Sequence, residues 1–280
     1  MSRPQTLHDG PPAATGTAAL CADARQQVAH SFREHLGRRL RTLALFGSVA
    51  ADGPLWAGSD LDVVLVVHPS AAGTAEVCAQ VALAAHEIEQ RVGLPVSAAF
   101  GTLDEVTLLW SATVRRALRD NATTLAGEPL ADLLTPPGDA WDWTEVHRGA
   151  VRLLCFTRRH IIDRYTALIG QGLRGDAAAD GAQAVLKSTV NAARFALWSL
   201  TPEHGRLLSR PDTVLTAFEA ALPGVVGDIP RQALGRLEHG GVPEPELVRA
   251  CVDLADRLLH TSRHRHPDLF RRGDVFIDPL

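Results

Sequence analysis

The chain is 280 residues long, enough for two domains with buried cores. Hydrophobic residues make up 46% and charged residues 21%, and the formal net charge is −4 with a pI of about 6.3. No field over the whole surface would draw in a polyanion, which disfavours a dedicated nucleic-acid binder. No leader with a charged start and an apolar core, and no run of 18 apolar residues without charge, argues for a membrane. Cys21, Cys78, Cys155 and Cys251 are scattered, with no C-x-x-C pair to bind zinc or act in redox chemistry, so a reducing, cytoplasmic compartment is expected. Lys187 is the only lysine, an arginine bias that fits a GC-rich genome.

Residues 1–20 are rich in Ala, Gly, Pro and Thr and read as a flexible tail. A helix over about Ala22–Leu40 would align Val28, Phe32, Leu36 and Leu40 on one face. A short apolar strand, Leu43–Phe46, stops at Gly47, and a loop containing Gly53-Pro54 leads to the clearest strand, Leu61–Val67. A helix over Thr74–Val92, a strand at Val96–Phe100, a helix over Leu103–Asn121 and a closing strand at Thr124–Gly127 complete an α/β unit, 21–135, with a mixed sheet. Pro136-Pro137-Gly138-Asp139 interrupts both periodicities and marks the boundary. Beyond it, 140–280 reads as an all-α bundle, with helices near 142–169, 181–200, 211–222, 229–239 and 244–264 and turn-like breaks at Gly170–Gly175, Thr201–Gly205 and Pro223–Gly227.

The chemistry concentrates at residues 43–67. On a strand, Asp60 and Asp62 project from one face, about 6–7 Å apart. Two such carboxylates repel unless a cation lies between them, and an all-oxygen site suits Mg²⁺, which completes its shell with water and phosphate. The Gly47-Ser48 turn offers backbone N–H groups and a hydroxyl to an anion, with no side chain in the way at glycine. A phosphate cradle beside a carboxylate pair is what nucleotidyl transfer needs.

Leu45-Phe46-Gly47-Ser48, a loop, and then Gly58-Ser59-Asp60-Leu61-Asp62 resembles the signature of the polymerase-β-like nucleotidyltransferase superfamily. The two-part layout resembles its antibiotic branch, enzymes that adenylylate kanamycin, streptomycin or spectinomycin. Thr124–Leu130, Ala193-Arg194 and Val214–Pro223 are similar to weaker patterns of the same proteins. The resemblance covers most of the chain after residue 20, and only its first motif is specific. It implies an α/β nucleotidyltransferase domain, Asp60 and Asp62 as Mg²⁺ ligands, and Gly47, Ser48 and Ser59 on the nucleotide. It implies ATP as co-substrate, a small-molecule hydroxyl as acceptor and a role in antibiotic resistance, and it leaves a homodimer open.

The sequence departs from that pattern in two places. The strand facing the carboxylates reads Val96-Ser97-Ala98, so Ser97 stands where a third acid is expected, and a neutral hydroxyl cannot deprotonate an alcohol. Val49, Ala50 and Ala51 supply no basic residue after Gly-Ser. By similarity to relatives, Lys187 or Arg194 would reach the triphosphate across a cleft, and Asp163, in Ile161–Tyr165, would replace the base, with Glu145 second. Asp104 and Glu105 are equally well explained by a helix N-terminus. His260, His264 and His266 read as a solvated helix end, and Trp110, Trp141, Trp143 and Trp198 as packing anchors. A catalytically impaired nucleotide-binding protein of the same fold is the alternative that Ser97 motivates. An RNA- or protein-directed module is a third reading, disfavoured by the net charge of −4.

Overall fold

A computed structural model describes residues 14–50, 59–69, 74–170, 176–224, 227–240 and 243–270. It opens with α1 (Ala14–Leu36), β1 (Leu40–Phe46), α2 (Gly47–Ala50), β2 (Leu61–Val67), α3 (Thr74–Val92) and β3 (Val96–Thr102). Then come α4 (Leu103–Leu109), α5 (Ala112–Asn121), β4 (Thr123–Gly127) and α6 (Leu130–Leu134). The remainder is helical: α7 (Trp143–Gly170), α8 (Asp176–Leu200), α9 (Pro211–Ala221), α10 (Ile229–His239), α11 (Pro245–Arg265) and α12 (Pro267–Phe270). The mixed sheet followed by a largely helical region agrees with the coarse reading of the sequence.

Boundaries differ where local chemistry decides them. Residues 14–20, expected in the tail, belong to α1, whose alanines favour helix once Cys21, Ala24 and Val28 anchor it; residues 1–13 lie outside the described residues. That helix ends at Leu36 rather than Leu40, because Gly37 takes φ +52 and turns the chain into β1. The expected helix 103–121 is two. Ser111 breaks it and caps α5, its hydroxyl accepting from Val114 N–H, and Thr102 and Glu105 form a capping box on α4. The loop 51–58 and most of the 170–175 turn lie outside the described residues.

The sheet order is β3-β2-β1-β4, with β1 antiparallel to both neighbours and β2 parallel to β3. Alternation along the strands gives the sheet two buried faces. Leu43, Leu45, Leu61, Val63 and Leu65 pack with Val28, Phe32, Val81 and Ile88 of α1 and α3. Ala44, Val64 and Val66 pack with Val106, Leu118, Leu130 and Leu134 of α4, α5 and α6. Asp62 shares the second face, at the strand end where that cover stops. The helical region closes around α8, whose Leu186, Val190 and Ala193 meet Leu154, Phe218, Leu234 and Leu254.

The two regions are joined along α5 and α7. Thr113 donates its hydroxyl to the Val146 carbonyl at 2.5 Å, and a Cβ at Gly149 would overlap that hydroxyl. The Arg116–Asp120 ion pair, 2.9 Å, is almost fully enclosed; Asp120 accepts from Leu207 N–H, and Arg116 donates to the Gly205 carbonyl. The Arg116 guanidinium lies 5.3 and 5.1 Å from the ring centres of Trp141 and Trp143. Trp143 and Trp198 fill the core of this junction with Val146 and Leu207, the anchoring role expected of them. All four cysteines are free thiols, and no described helix is long and apolar enough to cross a membrane.

Candidate functional site

The site begins where β1 ends. Phe46 pairs with Asp62, and the next residue, Gly47, turns at φ +82 directly against that carboxylate. A Cβ there would lie 2.8 Å from Asp62 Oδ2, so glycine is required both by the left-handed backbone and by the contact. Arg25 of α1 holds the turn from behind: its guanidinium donates to the Val49 carbonyl at 2.6 Å and the Ala50 carbonyl at 3.2 Å. The Thr123 hydroxyl donates to the same Ala50 carbonyl at 3.1 Å. Sequence reasoning missed this role of Arg25, since nothing local links it to a turn more than twenty residues later. The Ser48 side chain lies outside the described residues.

Ser59 is buried, and Leu61 N–H donates to the Pro95 carbonyl at 2.8 Å, which fixes the entry to β2 between its neighbours. Asp60 and Asp62 line one cleft of about 180 Å³ with Phe46, Gly47 and Ser59. Its other wall is helical: Lys187, Val190, Asn191 and Arg194 from α8, with Pro211 and Leu237 beyond. Lys187 Nζ stands 3.2 Å from each oxygen of Asp60. Arg194 donates to Asn191 Oδ1 and to the Ser209 carbonyl, both at 2.9 Å, while its buried Nε has no partner among the described residues.

The charges feel one another and their burial. The Asp62 carboxyl is pushed up to about 6: burial raises it most and Asp60 adds to that, while Lys187 and Arg194 pull against them. Burial lowers the Arg194 guanidinium to about 10 against the opposing pull of Asp62, so it remains a cation at neutral pH. The structure therefore gathers Gly47, Ser59, Asp60, Asp62, Lys187 and Arg194 in one place.

Asp163 stands apart. It is exposed (68% of its side chain), lies 3.8 Å from Arg159 Nε and does not line the cleft. The reason is helical phase: α7 buries Leu154 and Ile161, and a residue two positions past Ile161 faces water. This corrects the expectation that Asp163 supplies a base at the carboxylate pair. Glu145 pairs with Arg148 and lines a separate groove with Trp110 and Trp141. Asp104 and Glu105 sit in the first turn of α4. His266 packs against His147, ring centres 5.7 Å apart, while His260 and His264 stay exposed.

Ser97 pairs in register with Asp62 and is exposed beside it, on the same face of the sheet. No third acid joins Asp60 and Asp62 along the cleft, and no three His, Cys, Asp or Glu side chains come together as a metal cluster among the described residues. Two carboxylates are nonetheless a fitting donor set for Mg²⁺, which is commonly held by one or two of them together with substrate phosphates. No family model matches the chain, and no curated protein matches it.

Proposed function

We propose that this chain is a Mg²⁺-dependent nucleotidyltransferase of the polymerase-β-like superfamily that moves AMP from ATP to a hydroxyl of a small molecule. The observation that carries the reading is the pairing, in one cleft, of two carboxylates at the start of β2 with two helix cations. Such a site offers oxygens to a divalent cation and cations to a polyphosphate, the two halves of a metal–nucleotide complex. A cleft of about 180 Å³ suits the phosphate end of that ligand better than the whole of it.

In this reading Asp60 and Asp62 hold Mg²⁺, which would neutralise charge on the phosphate being transferred. Lys187 and Arg194 face the rest of the triphosphate; Arg194 has an Nε with no partner among the described residues, and Lys187 has a part-exposed side chain. Gly47, lacking a side chain, lets the backbone come close to phosphate oxygens. The acceptor class, an aminoglycoside-like antibiotic, rests on the resemblance of motif and layout alone. Calorimetry with Mg²⁺ and ATP tests the site: binding is expected, with loss of at least tenfold in affinity in Asp60→Ala and Lys187→Met, roughly the worth of a charge-assisted contact. Pyrophosphate release across an aminoglycoside panel tests the transfer.

Ser97 favours a second reading, a protein that binds the nucleotide without transferring it. Among the described residues, no acid lining the cleft other than the two proposed metal ligands stands ready to take the acceptor's proton. Binding of Mg²⁺ and ATP with no pyrophosphate release on a broad panel of alcohols supports that reading. Release that is restored or raised in Ser97→Asp supports a slow enzyme instead.

A further inference from the structure

The cleft contains its own counter-ions. Asp60 is engaged on both oxygens by Lys187, and this pair spans 127 residues of chain to tie the strand edge to α8. The two cations of α8 are held differently. Arg194 is buried and bonded to Asn191 and the Ser209 carbonyl. Lys187 keeps 38% of its side chain exposed, on a flexible four-carbon stem, so it is the cation able to change partner.

Two carboxylates and two cations leave little net charge for a ligand to neutralise. A bare divalent cation would have to displace the ammonium from Asp60 and then sit beside two positive groups. A bare polyphosphate would bring its negative charge up to two carboxylates. When both arrive together, the carboxylates gain the cation and the displaced ammonium gains a phosphate.

We propose that Lys187 is an exchangeable counter-ion of Asp60, making uptake of a divalent cation by the carboxylate pair conditional on a phosphate-bearing ligand. This rests on the nucleotidyltransferase reading of the same cleft and adds the order in which its ligands enter. Lys187 leaves Asp60 for phosphate as the ligand binds and returns when phosphate leaves.

The test is titration of the full chain with Mn²⁺, read by the electron paramagnetic resonance of the unbound ion, with and without α,β-methylene-ATP. Wild type is expected to bind Mn²⁺ poorly alone and much more tightly with the analogue. Lys187→Met is expected to move the two in opposite directions. Mn²⁺ alone binds roughly fivefold more tightly, as expected for release of a part-exposed ion pair. The Mn²⁺–analogue complex binds roughly tenfold more weakly, as expected for a lost charge-assisted contact. Lys187→Arg, which preserves the charge, is expected to keep the wild-type dependence on the analogue. If Lys187→Met binds Mn²⁺ alone no more tightly than wild type while both still bind the complex, the counter-ion role is overturned and the nucleotidyltransferase reading survives. If wild type and variant bind neither Mn²⁺ nor the complex, both fall together.

Discussion

The start of strand β2, with the residue before it, and helix α8 each bring two charged side chains to the same cleft, under opposite constraints. At the entry to β2 a two-residue spacing brings Asp60 and Asp62 to one cleft, where burial and mutual repulsion raise the Asp62 carboxyl to about 6. On α8, Lys187 and Arg194 lie two turns apart, so each can meet a different partner: Asp60 for one, Asn191 and Ser209 for the other. The strand concentrates like charge and the helix distributes its compensation. The site is therefore a property of the two regions held together, and the weld at Thr113, Arg116, Asp120 and Trp143 sets its geometry.

The largest expected effect comes from cutting that weld. Asp120→Ala leaves the enclosed Arg116 guanidinium without its carboxylate and should cost about 3–5 kcal/mol in urea denaturation. A loss under about 1 kcal/mol would mean that the two regions are aligned by something else.

Asp62→Asn probes the strand side alone. The wild-type carboxyl is raised from 3.8 to about 6 on folding, so below about 3.8 it is protonated in both states and contributes no difference. As pH rises from there through about 6 the unfolded state loses its proton first, and the folded state is progressively destabilised. Asp62→Asn removes that penalty. It is expected to be more stable than wild type by about 1–3 kcal/mol at pH 8 and nearly equal to it at pH 3.5, by denaturation at both pH values. Equal stability at pH 8 would show that folding does not raise the Asp62 carboxyl.

Gly47→Ala places a Cβ against Asp62 Oδ2 at a left-handed backbone position and should cost about 1–2 kcal/mol, together with weaker ATP binding by calorimetry. The smallest effect belongs to Asp163→Ala. An exposed residue paired only loosely with Arg159 should change stability by less than about 0.5 kcal/mol and leave nucleotide binding unaltered. A loss of binding there would return α7 to the site.

Much of this was legible because the information is short in range. A spacing of two at the entry to the apolar run Leu61–Val67 puts Asp60 and Asp62 on one side, and Gly47 marks a turn whatever surrounds it. The apolar period of the helices also outlines a sheet region followed by a helical one. Ends were less legible, because a single Gly37 or Ser111 decides where a helix stops, and a propensity spread over many residues does not reveal such a switch.

The sequence by itself determined a strand edge with two acids, a glycine turn before it, and a serine at the neighbouring strand's facing position. Only the tertiary structure decided which distant charges meet that edge. Lys187 and Asp163 are both charged residues on long helices, indistinguishable in local pattern. The phase of α8 against the sheet turns Lys187 onto Asp60, and the phase of α7 turns Asp163 to water. Arg25 was settled in the same way, by the packing of α1 behind the Gly47 turn. Helix phase depends on which face is buried against which neighbour, and that is a long-range energetic outcome that spacing along the chain does not contain.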